Sequence, residues 1–248
     1  MAQVAAVDDA AWQSPWRKRP VSARVFLSFS LVLTALLAPA WPGCLLVAIT
    51  ALALMLGPAR IRGSLVALVT VPPIVFIAVG IIPIAVSVGG TPFFALSSDG
   101  VSRALEVLAH GVAGTLALLL LVTTTTMIDL MGWVRGLRVP APLLEIAELM
   151  YRLVFVLLST ALALQHAQHA RLVGDAPFSR RMRHAADAIG TVLLRTWDRA
   201  SRLQKGLELR GYEEELRTLT PLTRPAGGDF ALVVLLLAVI WLIVWVVA

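Results

Sequence analysis

The last stretch of the chain decides the fold class: residues 230–248 have the sequence FALVVLLLAVIWLIVWVVA, without a single charged side chain. A helix that crosses a bilayer needs about 20 predominantly apolar residues. The stretch meets this requirement, and two tryptophans lie within it, at positions 241 and 245. It is therefore predicted to be a transmembrane helix.

The rest of the chain has the same apolar character. Of its 248 residues 58% are hydrophobic, and the mean hydropathy is +0.85, whereas soluble domains are about 45–50% apolar. We predict an all-α polytopic membrane protein with about five transmembrane helices. The four further spans are predicted at residues 25–38, 45–56, 64–88 and 105–131.

The predicted spans differ in regularity. The first two are shorter than the bilayer core and would form a short hairpin around the turn Trp41-Pro42-Gly43, with Trp41 at the interface. The third contains three prolines, which neighbouring helices can accommodate. Residues 89–103 are predicted to be a loop. The fourth span runs through four threonines, 123–126, whose hydroxyls can bond back to the helix backbone.

Basic residues indicate the orientation of the chain. Cytoplasmic loops of membrane proteins carry an excess of Lys and Arg. With a cytoplasmic N-terminus, five spans place 20 of the 21 basic residues on the cytoplasmic side, and Arg103 alone outside. The C-terminus is then periplasmic. The excess of basic residues in the cytoplasmic segments accounts for the net charge of +6.

The chain has a single cysteine, Cys44, so it cannot form an intramolecular disulfide.

The chain is predicted to divide into an N-terminal membrane region (1–131), a cytoplasmic region (132–229) and the last span (230–248). Apolar residues at three- and four-residue spacing predict two long amphipathic helices in the cytoplasmic region. The first runs from Pro140 to about Val173, and the second from Arg180 to Arg210.

The first of these two helices allows two interpretations. Residues 143–164 are nearly apolar enough to span the membrane. However, Glu145, Glu148 and Arg152 form one polar stripe, and the uncharged run that follows, residues 153–164, is too short for a span. We interpret the helix as lying along the membrane surface; the alternative is a sixth span.

Each amphipathic helix ends with an arginine shortly before a glycine: Arg171 precedes Gly174, and Arg210 precedes Gly211. One explanation is that cations are favourable at helix C-termini. The other is that each arginine is displayed at a helix tip to enter an acidic groove on a partner. The planar guanidinium, which pairs bidentately with carboxylates, suits that role.

Several segments together resemble the T component of energy-coupling factor transporters, of the cobalt-type CbiQ group. Their order and spacing carry the resemblance, which covers nearly the whole chain. The segments are Ala11-Trp12-Gln13-Ser14-Pro15-Trp16-Arg17, Gly136-Leu137-Arg138-Val139-Pro140, Leu149-Met150-Tyr151-Arg152-Leu153-Val154-Phe155, Leu194-Arg195-Thr196-Trp197-Asp198-Arg199-Ala200, Glu208-Leu209-Arg210-Gly211-Tyr212 and Glu215-Leu216-Arg217.

The resemblance implies a role and a set of partners. T components link a substrate-binding membrane subunit to two ATPase subunits, which bind the ATP, so no cofactor is expected in this chain. Two short motifs, ideally Ala-Arg-Gly, dock the coupling helices on the ATPases. Here they match Ala170-Arg171-Leu172 and Leu209-Arg210-Gly211, each departing from the ideal at one position. The implied function is that of a bacterial inner-membrane coupling subunit of a divalent-metal importer. The implied transported ion is cobalt, with nickel as the alternative.

Other functions have less support in the sequence. The chain contains no phosphate-binding Gly-rich motif, and the spans hold no converging catalytic groups, so we do not expect an enzyme. His166 and His169 lack a third metal ligand at helical spacing. A conventional permease, the main alternative, would need polar residues near mid-membrane. Nucleic-acid binding by the second amphipathic helix would need stacking aromatics or a recognition motif.

Overall fold

A computed structural model of the chain describes residues 2–88, 94–96, 98–170, 178–211 and 227–247. These residues are almost entirely helical, which confirms the all-α fold class. The helices are α1 (Ala2–Gln13), α2 (Val21–Leu37), α3 (Leu45–Leu56), α4 (Gly63–Gly80), α5 (Ile82–Ala85), α6 (Ser98–Thr124), α7 (Met127–Arg135), α8 (Ala141–Ala170), α9 (Phe178–Glu208) and α10 (Gly227–Val247). A 3₁₀ helix (Pro15–Lys18) follows α1, and a π-helical turn (Ala40–Cys44) precedes α3.

The chain forms two compact units. The first, here the membrane unit, comprises the described parts of Met1–Trp133 and Pro221–Ala248, and the second, here the α8–α9 unit, comprises those of Val134–Thr220. Among the described residues, four helical stretches are long and apolar enough to cross a membrane, and two apolar helices are shorter. The long ones are Gly63–Ile84, Gly100–Thr124, Pro142–Ala167 and Gly228–Val247; the shorter ones are Val21–Leu37 and Ala40–Leu56.

Helix α6 organises the membrane unit, because α2, α3, α4 and α5 all pack against it. Ala113 and Ala117, one turn apart on α6, are fully buried. Small side chains let helix backbones approach closely inside a membrane, where dispersion rather than hydrophobic burial drives packing. At Gly111 of α6 an added Cβ would lie 3.2 Å from Ile77 of α4. A side chain at position 111 would thus require Ile77 to shift by a few tenths of an ångström.

The two short helices predicted on either side of the turn are present, and the first begins four residues before its predicted start at residue 25. Helices α2 and α3 flank the turn around Pro42, and Trp41 is exposed. A Cβ on Gly43 would lie 2.5 Å from the Cβ of Ala38, so this tight turn requires glycine. Cys44 is buried and its thiol donates to the carbonyl of Ala35 at 3.4 Å, as expected of a small buried apolar residue.

Two predicted boundaries of the third span and the loop after it are wrong. Residues 64–88 were predicted as one span, but Val86–Val88 form a short antiparallel strand, β1, with a second strand, β2, at Phe94–Leu96. The predicted loop 89–103 also extends too far, since α6 begins at Ser98. The polar residues Ser98 and Asp99 suggested a loop, but such residues are also favourable in the first turn of a helix.

The predicted fourth span, residues 105–131, is also wrong at its end, because it is two helices. Helix α6 ends at Thr124, and α7 starts at Met127. The hydroxyls of Thr123 and Thr124 bond back to carbonyls one turn earlier, at 2.7 and 2.6 Å. The hydroxyl of Thr126 instead accepts the backbone N–H of Asp129, at 3.2 Å, and so caps α7. The threonine run therefore ends one helix and starts the next.

Helix α8 qualifies as a membrane span by length and composition over residues 142–167. The sequence predicts a helix along the membrane surface, with a sixth span as the alternative. Length and composition allow both placements.

Leu31 of α2 tests the packing of the membrane unit. It is completely buried, whereas Leu36 on the same helix is 71% exposed. We expect Leu31→Ala to leave a cavity and to destabilise the unit by about 2 kcal/mol or more, and Leu36→Ala to have little effect. Thermal unfolding in detergent measures both. Equal unfolding midpoints for the two variants would contradict this packing.

Candidate functional site

The α8–α9 unit contains the residues that the sequence analysis assigned to partner binding. Its two long helices line a groove of about 590 Å³ at their middle sections. Leu157, Ala161 and Leu164 of α8 line one side of it, and Val192 and Thr196 of α9 line the other. The apolar spacing that predicted amphipathic helices thus brings the two helices together.

Much of the apolar surface of α9 stays exposed. Ile189, Leu193 and Trp197 are each about 70% exposed. They follow one another at spacings of four residues, so they share one face of the helix. A monomeric soluble protein rarely exposes a contiguous apolar stripe of this kind unless another molecule covers it.

Helix α9 ends in a tightened turn that presents Arg210. The amide of Arg210 donates to the carbonyl of Leu207 at 3.0 Å, and the amide of Gly211 donates to that of Glu208 at 3.1 Å. Gly211 has a φ of +74°, the left-handed conformation typical of the residue that follows a helix. Gly211 therefore caps the helix. Leu209 is 89% exposed and Arg210 is exposed, so this tip projects away from the described part of the unit.

The other predicted motif lies only partly within the described residues. Ala170 is the last residue of α8. Arg171 and Leu172 lie outside the described residues. The motif therefore begins at the last residue of a 30-residue helix.

The predicted polar stripe of α8 is not uniform. Glu148 forms an ion pair with Arg135 of α7, at 3.6 Å, whereas Glu145 is buried and Arg152 is exposed. The stripe thus combines structural and solvent-facing charges.

A buried arginine in the membrane unit escaped the sequence analysis. Arg24 of α2 is only 3% exposed. Its Nη1 donates to the carbonyl of Thr124, the last residue of α6, and to the hydroxyl of Thr125 at 3.3 Å. Its Nη2 lies 3.9 Å from a carboxylate oxygen of Asp129. The sequence feature that indicates this role is the charge of Arg24 at the start of an apolar run, because a charge among apolar residues in a membrane is costly and is usually functional or paired. In the sequence, Arg24 contributed only to the prediction of orientation.

Asp129 joins this arginine to the N-terminal segment. Arg17 lies 3.3 Å from the same carboxylate oxygen, and its guanidinium stacks over the ring of Trp12 at 3.9 Å. We call Arg17, Arg24 and Asp129 the Arg24–Asp129 cluster. The side chain of Asp129 is only 14% exposed and is held by two arginines.

Two further contacts fix the N-terminal segment on the membrane unit. The hydroxyl of Ser14 donates to the carbonyl of Ala59 at 3.1 Å and also accepts the amide of Trp16. Arg19 forms an ion pair with Asp229 in the first turn of α10, at 3.2 Å. The segment before α2 therefore contacts α7, α10 and the turn after α3.

Metal ligands are sparse in this chain. Within the described ranges, no group of three or more His, Cys, Asp or Glu side chains lies close enough to hold an ion. His166 is exposed, and Nδ1 of His110 lies 2.8 Å from the carbonyl of Glu106 in its own helix.

Comparison with known proteins gives consistent matches along most of the chain. The family described as CbiQ, cobalt transport protein, matches residues 13–221. The cobalt transport protein CbiQ of Rhodobacter capsulatus is 36% identical over 229 residues, 92% of each chain. An uncharacterized protein of Methanocaldococcus jannaschii is 22% identical over 89% of this chain and 85% of its own.

A third relative is longer than this chain. The protein of Methanocorpusculum labreanum named as a fused cobalt transport protein CbiMQ is 24% identical over 241 residues, which are 89% of this chain and 39% of the relative.

Gly211 provides a test of the helix tip. Alanine at a left-handed position costs about 1–2 kcal/mol, so Gly211→Ala should loosen the last turn of α9. Gly190→Ala, inside the same helix with open space around the added Cβ, should instead stabilise it by roughly 0.5–1 kcal/mol. Hydrogen exchange should become faster at the amides of Leu209 and Arg210 in the first variant only. Unchanged exchange would contradict the cap.

Asp129 provides a test of the buried charges. Asp129→Asn leaves Arg24 buried without its carboxylate, and we expect a loss of about 1–3 kcal/mol. Arg17 is 32% exposed, and such exposed pairs contribute about 1 kcal/mol or less, so Arg17→Gln is the matched control. Thermal unfolding in detergent compares the two variants. A larger loss for Arg17→Gln would contradict the central role of Arg24.

Proposed function

Because the chain belongs to the CbiQ family of cobalt transport proteins, we propose that it is the transmembrane coupling subunit of an energy-coupling factor transporter. It transmits the motion of ATPase subunits to a substrate-binding membrane subunit. The transported ion is a divalent transition metal, cobalt in the first instance, and it binds on another subunit. This chain is a non-catalytic part of an ATP-driven importer.

The observation that carries this proposal is the tip of α9. An arginine stands exposed directly after a 31-residue amphipathic helix, between an 89% exposed leucine and a left-handed glycine. A leucine this exposed gains free energy when a partner covers it, and an arginine beside it adds charge-assisted hydrogen bonds to acidic groups. The tip thus has the composition of a small docking element for an acidic groove with an apolar wall.

We assign ATPase contact to both motifs, Ala170-Arg171-Leu172 and Leu209-Arg210-Gly211. The position of Ala170 at the end of α8 supports the first assignment, and the tip geometry supports the second. Two motifs with a central arginine match two ATPase copies. The ATP is bound by these partners, and this chain holds no cofactor.

The exposed apolar face of α9 supports the second half of the coupling path. Ile189, Leu193 and Trp197 offer a surface for the substrate-binding subunit. When ATP binding closes the ATPases, their grooves move and carry the arginine tips with them. Since a helix is stiff along its axis, movement at the tip of α9 displaces its apolar face, and the substrate-binding subunit tilts or is released.

The fused relative supports a membrane partner. Its name describes a fusion, and this chain matches only 39% of it, so that protein carries a second segment on the same polypeptide. Covalent fusion suits segments that work side by side. We place the complex in the bacterial inner membrane, with the N-terminus of this chain in the cytoplasm and its C-terminus in the periplasm, since this orientation satisfies the positive-inside rule.

Charge reversal at the two tips tests the proposal. The chain is co-purified in detergent with the ATPase encoded beside its gene, as wild type and as Arg171→Glu with Arg210→Glu. We expect a stable wild-type complex and at least a hundredfold weaker binding for the double variant, because losing two charge-assisted contacts of about 1.5–3 kcal/mol each exceeds this factor.

The matched control is Arg199→Glu with Arg202→Glu, two exposed arginines on the same helix away from its tip. These substitutions change net charge equally and should leave the complex intact. Equal loss in both variants would indicate general electrostatic attraction, and no loss in either would refute the motif assignment. A failure to form any wild-type complex would favour the permease.

A further inference from the structure

A mainly apolar groove of about 520 Å³ runs along the outside of the membrane unit. Helices α2, α3 and α10 line it, and we call it the α2–α3–α10 groove. On α10 it extends from Leu232 to Ile243, which is ~16 Å at the standard helical rise. That length is about half of the roughly 30 Å hydrocarbon core of a bilayer, so the groove has the depth of one lipid leaflet.

The polar residues of the groove lie together at one end. Arg19, Arg24 and Asp229 line that end, with Trp16 beside them, whereas the remaining lining along α10 is aliphatic. An indole next to charged side chains is typical of the membrane interface. The groove therefore has a polar mouth at headgroup level and an apolar channel at the level of the acyl chains.

Arg24 at this mouth has unused hydrogen-bonding capacity. It is 3% exposed, and neither Nε nor Nη2 has a hydrogen-bond acceptor among the described residues. Buried polar groups nearly always find a partner, and each exception calls for an explanation such as a ligand. Both nitrogens are enclosed in the unit, so a phosphate would meet them when the Arg24 side chain turns toward the mouth, where a guanidinium offers paired donors to phosphate oxygens.

The charge around the mouth selects the kind of lipid. Arg19 and Arg24 line it together with Asp229, and Arg17 and Asp129 adjoin Arg24. Both carboxylates already pair with arginines, and a net charge of about one positive unit remains. Basic pockets between membrane helices bind the headgroups of anionic lipids.

We propose that the α2–α3–α10 groove binds one anionic phospholipid, with the phosphate at Arg19 and Arg24 and an acyl chain along α10. This site is independent of the ATPase contact at the helix tips. The lipid would supply the acceptor that Arg24 lacks and would cover the apolar walls of the groove.

Native mass spectrometry of the full chain in detergent tests the proposal. The probes are dioleoyl phosphatidylglycerol and dioleoyl phosphatidylcholine, which share their acyl chains, with inorganic phosphate as competitor. We expect phosphatidylglycerol to bind about tenfold or more tightly than phosphatidylcholine, as expected for a charge-assisted contact, and phosphate not to displace it. Equal affinity for both lipids, or displacement by phosphate, would overturn the proposal.

Variants separate the two parts of the site. Arg24→Gln removes a group that also holds the end of α6, so Arg19→Gln, at a more exposed position, is the headgroup variant and should weaken phosphatidylglycerol alone. Thr50→Trp fills the channel between α3 and α10 and should weaken both lipids. Arg62→Gln, an exposed arginine of the same unit that lines a different cavity, is the matched control and should bind lipid as wild type does.

The assembled transporter provides the last comparison. If the lipid occupies the groove, phosphatidylglycerol remains bound when the partner subunits are present. Loss of the lipid on assembly would mean that a partner helix covers the groove and would refute the proposal. A Thr50→Trp variant that binds both lipids normally would place binding elsewhere and refute it equally.

Discussion

The guanidinium of Arg24 at the end of α6 is the interaction on which the membrane unit depends. The last carbonyls of a helix have no partner within it and carry partial negative charge, and the end of α6 is buried, so the protein itself must supply the missing donors. Arg24 donates to the carbonyl of Thr124, so α6 can end there. Its positive charge is in turn compensated by Asp129 on the following helix. One side chain of α2 thereby joins the end of α6 to the start of α7, and a neutral residue at position 24 would leave the carbonyl of Thr124 without this donor.

The sequence predicted those features that depend on local information. A charge-free run defines α10, three- and four-residue spacing defines α9, and the rule that glycine follows a helix places Gly211 correctly. The break in the fourth span escaped prediction because its cause is not local. Four threonines are compatible with a continuous helix, and the residue that ends it lies 100 positions earlier in the chain. The same distance hides the cluster around Asp129, where each charge taken alone indicates only an interface.

The α8–α9 unit differs from the membrane unit in how it gains stability. Most of the stability of an amphipathic helix comes from packing of its apolar face, yet Ile189, Leu193 and Trp197 remain uncovered in the single chain. Helix α9 therefore gains part of its stabilising free energy only when another surface covers this face. Such a unit opens locally more easily than a closed core, and a surface that covered this face would order it.

Helices of unequal length also have a consequence for the bilayer itself. Helix α2 has 17 residues and α10 has 21, which correspond to ~25 and ~31 Å. Helix α2 is therefore several ångströms shorter than α10, and a membrane accommodates such a difference by local thinning, by snorkelling of flanking side chains or by oligomerisation, at a modest cost for each ångström. The acyl chain length of the surrounding lipids thus becomes a physical variable that sets this cost.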